Sequence, residues 1–163
     1  MIQLQPLGEV DVELLEWLAE ELRNVFNTEI SILPKIPMPS NCYSKRGQYN
    51  STCILATLKV SDITLAVTSE DLYARGLNFV FGEAEVGGKK AVVSYYRLKF
   101  GVNREELKIR LLKEAVHELG HVFGLEHCKT PGCVMNFSNN VLEVDKKTSI
   151  FCKNCVSKLK NRI

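Results

Sequence analysis

Long apolar runs are missing from this chain. No stretch approaches the roughly 18 uninterrupted apolar residues of a membrane span, so no transmembrane helix is expected. The opening residues Met1-Ile2-Gln3-Leu4-Gln5-Pro6 lack a basic segment followed by an apolar one, so the sequence predicts no signal peptide and a cytoplasmic protein. An excess of one charge is missing too. Lys and Arg number 21 against 19 Asp and Glu, a net +2 with a pI of about 8.2. That balance is too mild for a surface that binds nucleic acid or an anionic membrane, and neither partner is expected. Repeats and low-complexity tracts are absent, and histidine is scarce, with three residues in 163.

What is present suits one globular domain of residues 1–163, with 45% hydrophobic and 25% charged residues and enough length to bury a core. Six cysteines are many for a reducing compartment, where metal binding is a commoner use for them than disulfides.

Apolar spacing predicts a strand over 2–7, then a helix over 12–26 capped by Asp11, with Leu14, Leu15, Leu18, Leu22 and Val25 on one face. A second strand follows over 29–33, and Pro34, Pro37 and Pro39 then impose a stiff extended connection. Residues 44–48 read as a polar turn, and 51–60 as a short helix with strand as the alternative. A buried strand is expected over 63–67, with a turn or short helix start at Ser69-Glu70-Asp71. Strands over 79–86 and 91–98 are joined by a reversal at Gly87-Gly88. Asn103 can cap a long helix that Gly124 stops. Beyond Gly124 the periodicity fades until a basic helix near 153–160. The expected class is therefore α/β (α+β), with an α/β portion over about 1–124 and an irregular, metal-tied portion over about 125–163.

The chemistry concentrates in His117-Glu118-Leu119-Gly120-His121, near the end of the long helix. Residues four apart share a helical face, so both imidazoles can reach one ion. Gly124 permits a left-handed turn that can bring His127 up as a third ligand. Three nitrogens and a water form a tetrahedral zinc site with an open position, and Glu118 stands where it can take that water's proton. Every histidine of the chain falls inside this H-E-x-x-H-x-x-G-x-x-H string. Downstream, Cys128, Cys133, Cys152 and Cys155 form C-x4-C-x18-C-x2-C, the spacing of a closed four-thiolate structural zinc site; two disulfides are the alternative. Cys42 and Cys53 are left over and are read as free buried thiols, with a bridge between them as the other possibility.

The extended string, continued by His127-Cys128, Cys133-x-Met135 and Cys152-x-x-Cys155, resembles the archaemetzincin family of metzincin metallopeptidases over residues 114–155, about a quarter of the chain. The resemblance implies a mixed twisted sheet, a long active-site helix, a horizontal cleft, and a smaller zinc-tied subdomain after Gly124. It implies a Met-turn with Met135 as a hydrophobic floor under the catalytic zinc; without it, Met135 would read as a core gap-filler. It also favours zinc at the cysteines, giving one catalytic and one structural Zn2+ per chain. Some metzincin families carry a tyrosine two residues after this methionine, where this chain has Phe137. Tyr43, Tyr49, Tyr73, Tyr95 and Tyr96 offer hydroxyls, but core or surface packing is the better reading of each.

The function expected is a monomeric zinc metallopeptidase acting on peptide or protein substrates. The resemblance implies an edge strand that pairs with them, for which 79–86 is the candidate, with an ordinary interior strand as the alternative reading of that segment. The competing reading is a zinc-stabilised binding module with little turnover. A nucleic-acid-binding zinc ribbon, using Lys153, Lys158, Lys160 and Arg162, is disfavoured by the weak net charge and the histidine site.

Overall fold

The computed structural model describes residues 1–44 and 46–160, so Lys45 of the expected polar turn and Arg162 of the basic tail lie outside the described residues. In chain order the elements are β1 (Ile2–Leu7), α1 (Val12–Phe26), β2 (Ile30–Ile32), a 3-10 turn (Ser40–Cys42), β3 (Tyr49–Asn50), α2 (Ser51–Thr57), β4 (Ile63–Thr68), β5 (Leu72–Ala74), β6 (Leu77–Val80), β7 (Gly82–Ala84), β8 (Lys90–Ser94), α3 (Arg104–Val122), α4 (Val141–Lys146) and α5 (Lys153–Lys160).

The main sheet has the order β2-β1-β4-β8-β7, parallel throughout except for β7, which runs antiparallel to β8 at the edge. Side chains alternate across it. Leu65 and Val67 of β4 and Ala91 and Val93 of β8 face the large core under α1 and α3. Ala66 and Val92, between them, face a smaller core with Ile54 and Leu55 of α2. Helices on both faces explain why the central strands read as unbroken apolar runs. A second sheet, β3-β5-β6, lies alongside. No helix among the described residues is long and apolar enough to cross a membrane.

Several sequence expectations change. The strand expected over 79–86 is two strands in different sheets: β6 pairs with β5, β7 pairs with β8, and buried Phe81 marks the crossing. The following strand ends at Ser94, where the chain turns. Helix α2 forms under the Asn50 cap but stops at Thr57, because Leu58 is extended. Helix α4 was unforeseen; Asn140 caps it by accepting the Glu143 N–H. Cys42 and Cys53 are not free thiols but a disulfide. The proline-rich connection explains this: Ile36 pairs beside β1, through Gly8 N–H to Ile36 O and Ile36 N–H to Pro6 O. That contact carries the 3-10 turn against the first turn of α2.

Asp11 joins the two long helices. It caps α1 through the Leu14 N–H and accepts both Arg104 Nη1 and Nη2, at 2.8 and 2.9 Å, at the start of α3. The Arg104 guanidinium, foremost, holds the Asp11 carboxyl at about 2, from an ordinary 3.8. A depressed carboxyl stabilises the fold above its unfolded value and loses that contribution as pH falls through the folded one. Arg104→Ala should therefore lower the thermal midpoint at neutral pH by no more than a few degrees, since solvent screens this half-exposed pair. The gap from wild type should close between about pH 4 and pH 2 in thermal melts.

Candidate metal centres and cleft

Helix α3 is fixed in length by its caps. Asn103 accepts the Glu106 N–H while Glu106 reaches back to the Asn103 N–H, a reciprocal capping box. At the far end Gly124 has φ +94° and its N–H bonds His121 O, which turns the chain sharply. This turn carries His127 back to the face that holds His117 and His121. The three rings converge, with centroids 4.7 to 5.3 Å apart.

Two of the rings are oriented by backbone. His117 Nδ1 lies 2.8 Å from Val134 O and His121 Nδ1 lies 2.7 Å from Leu125 O, so each Nδ1 carries the proton and donates it. Both Nε2 lone pairs are then free, and they stand 3.2 Å apart. Ligand bonds of about 2.0–2.1 Å at a tetrahedral centre put neighbouring nitrogens about 3.3 Å apart. Burial, the foremost cause in each case, pushes all three imidazoles below their ordinary range, keeping them neutral as ligation requires. This donor set fits a zinc ion.

Glu118 is buried beside them, and burial first, then the Glu114 charge, push its carboxyl well up. Its position depends on a residue that sequence reading passed over. A Cβ on Gly82 would collide with Val92 O and stand 2.8 Å from Glu118 Oε2, so only glycine lets the carboxylate lie against the edge strand. Gly120 plays the same part beneath the helix, where a Cβ would stand 2.5 Å from Met135 Sδ. Met135, fully buried, thus packs under the turn that carries both α3 histidines.

The four downstream cysteines form a second cluster. Cys128 and Cys152 Sγ are 3.7 Å apart, as are Cys133 and Cys155 Sγ, so neither pair is bridged. Four sulfurs on zinc at about 2.3 Å lie about 3.8 Å apart, so this cluster also fits. The Cys155 backbone N–H, foremost, holds the Cys152 thiol at about 6, while burial pushes Cys133 and Cys155 up. A tetrathiolate therefore needs a cation to form.

A polar stripe on α3, also unforeseen, grips the segment after Gly124. Arg110 pairs bidentately with Asp145, Lys113 donates to Val144 O, and Glu114 pairs with Lys147 at 2.9 Å. Together with His117 these residues follow helical spacing. Lys147, 1% exposed, also donates to Asn136 O beside Met135. Burial pushes the Glu114 carboxyl up and Lys147 draws it back. Each side chain is a poor neighbour for apolar core without the other.

His117, His127 and Glu118 open into a cleft of about 460 Å³ walled by Leu77, Phe79, Phe81 and the edge strand on one side and by Phe137 to Asn139 on the other. Phe137 stacks obliquely on His127, with centroids 5.1 Å apart. No tyrosine lines the cleft among the described residues; Tyr95 instead accepts the Asp11 N–H.

Two variants test this packing. Lys147→Met, which strands a buried carboxyl, should destabilise the metal-loaded protein by about 3 kcal/mol in urea, and adding Glu114→Gln should restore most of the loss. Gly82→Ala should lower the thermal midpoint, because Val92 O belongs to the backbone and cannot step aside.

Comparison with known proteins agrees with this geometry. Residues 40–161 match the model of peptidase family M54. The archaemetzincin of Methanocaldococcus jannaschii is 50% identical over 99% of this chain and 93% of its own length, and that of Archaeoglobus fulgidus is 49% identical over 98% of each. The crystal structure of the A. fulgidus archaemetzincin, complexed with malonate, superposes with a TM-score of 0.91 over 96% of this chain and 98% of its own. That of the Methanopyrus kandleri archaemetzincin does so at 38% identity with a TM-score of 0.88, over 99% of this chain and 94% of its own. The mixed α/β architecture expected from the sequence is theirs, and the chain belongs to peptidase family M54, the archaemetzincins.

Proposed function

We propose that this chain hydrolyses peptide bonds with Glu118 as general base and with His117, His121 and His127 holding a catalytic zinc. The observation that carries the reading is the convergence of three neutral imidazoles, two of them oriented by backbone carbonyls, beside a buried carboxylate at the floor of a cleft. Bound there, zinc would supply Lewis acidity, acidifying water and polarising a carbonyl. Glu118 accepts the proton of the attacking water and passes it to the departing amine. Its confinement against Gly82 keeps it at one spot during both transfers. Strand β7, at the edge of the main sheet, offers main-chain groups for an extended substrate to add on as a further strand. Met135 floors the site, and Phe137 covers one side of His127. One chain supplies every ligand and both cleft walls, consistent with a monomer.

A second, structural zinc on Cys128, Cys133, Cys152 and Cys155 accounts for order after Gly124, where helices are short and apolar periodicity is weak. Cys128 directly follows His127, and its N–H bonds Met135 O. The two centres are thereby coupled.

Glu118→Gln should retain zinc while hydrolysis of a peptide library falls by at least about a hundredfold; turnover close to wild type would remove Glu118 from the mechanism. Metal analysis should give one zinc at each centre, and a chelator should stop hydrolysis. Cys152→Ser should lower occupancy at the histidine centre as well as its own. A variant with full histidine-site metal and full activity would show the centres to be independent.

A further inference from the structure

Glu83 sits in the middle of β7, within the cleft wall. Strand alternation turns Gly82 toward Glu118 and Glu83 toward α2. There Ser51 Oγ lies 2.6 Å from Glu83 Oε1, and Thr52 Oγ1 lies 2.8 and 3.0 Å from Oε1 and Oε2. Each hydroxyl has one proton, so two donors serve a carboxylate that has about four acceptor positions. The hydroxyls aim the group without neutralising it.

No ion pair among the described residues includes Glu83. The other carboxylates of the cleft have tasks: Glu118 lies by the histidines and Glu114 is paired with Lys147. No lysine or arginine lines this space. On the far wall Ser138 Oγ is buried with no hydrogen-bond partner.

A rigid anion without a counterion, on the strand that a substrate would join, selects for positive charge in that substrate. Resting on the peptidase reading above, we propose that Glu83 is a specificity-determining residue that binds a cationic group of the peptide, an ammonium or a guanidinium. A purely structural role is the rival, because an anion over the first turn of α2 also suits the helix dipole. The two differ in what loss of charge does. Glutamine keeps an acceptor for both hydroxyls and removes only the charge.

The decisive measurement is binding of short alanine-rich peptides, labelled at the C-terminus, to the zinc-loaded full chain carrying Glu118→Gln to prevent turnover. One peptide is capped and contains a lysine, a second is capped with norleucine in its place, and a third has norleucine with a free amino terminus. At least one cationic peptide should bind about five- to tenfold tighter than the capped norleucine peptide. Which one gains identifies a side chain or the amino terminus as the source of the charge. Adding Glu83→Gln should bring the ratio to about one, and Glu83→Lys should turn it below one, a reversal that a structural latch cannot produce. Glu85→Gln, on the exposed hairpin beyond, should leave the ratio unchanged. Equal affinities, no measurable binding of either cationic peptide, or a preference that survives Glu83→Gln overturns the assignment. Hydrolysis by the wild type is scored separately: its absence sinks the peptidase reading and leaves the affinity ratio to judge Glu83.

Discussion

Two hydrogen bonds govern this site: His117 Nδ1 to Val134 O and His121 Nδ1 to Leu125 O. Each fixes a tautomer and a ring plane, and each uses a carbonyl from the irregular segment after the long helix. The helix therefore cannot present its nitrogens unless that segment is folded against it. Leu125, Val134, Met135, Val144 and Phe151 bury that segment in the main core, and the cysteine cluster and the α3 polar stripe of Arg110, Lys113 and Glu114 hold it further. The stripe, the cysteines and the Met135 contact serve one end: keeping two carbonyl oxygens in place.

Helix α3 meets two opposite demands. Leu111, Ala115, Leu119 and Val122 bury its apolar face against the sheet. The polar residues on its other side would ordinarily be solvated, yet Arg110, Lys113 and Glu114 are buried as well. An amphipathic pattern alone does not distinguish a polar face in water from one that grips other parts of the chain.

The sequence made the local features legible. Asn103 marked the start of the long helix, Gly124 its end, and the histidine spacing marked three rings that the fold brings together as a candidate metal centre. The cysteine spacing, with two disulfides as its alternative, pointed to a single cluster of Cys128, Cys133, Cys152 and Cys155, and the fold brings the four together unbridged. What escaped depends on contacts distant along the chain. The split of 79–86 between two sheets follows from partners, β5 and β8, that no period-2 pattern names. The Cys42–Cys53 bridge follows from the path of the proline-rich connection beside β1. Lys147 looks like any surface lysine, because nothing nearby in sequence announces Glu114. Gly82 and Gly120 did carry a signal, glycine inside a strand and inside a helix, and each marks a place where another group comes too close for a Cβ.

The close approach at Gly82 has a mechanical meaning. With no side chain between them, the edge strand and the helix turn bearing Glu118 abut as nearly incompressible bodies. The floor and the near wall of the groove cannot spread apart to admit a bulkier guest. Whatever adjustment larger peptides demand falls to the opposite lip, residues 137–139, which belongs to no helix or strand and carries the half-exposed ring of Phe137.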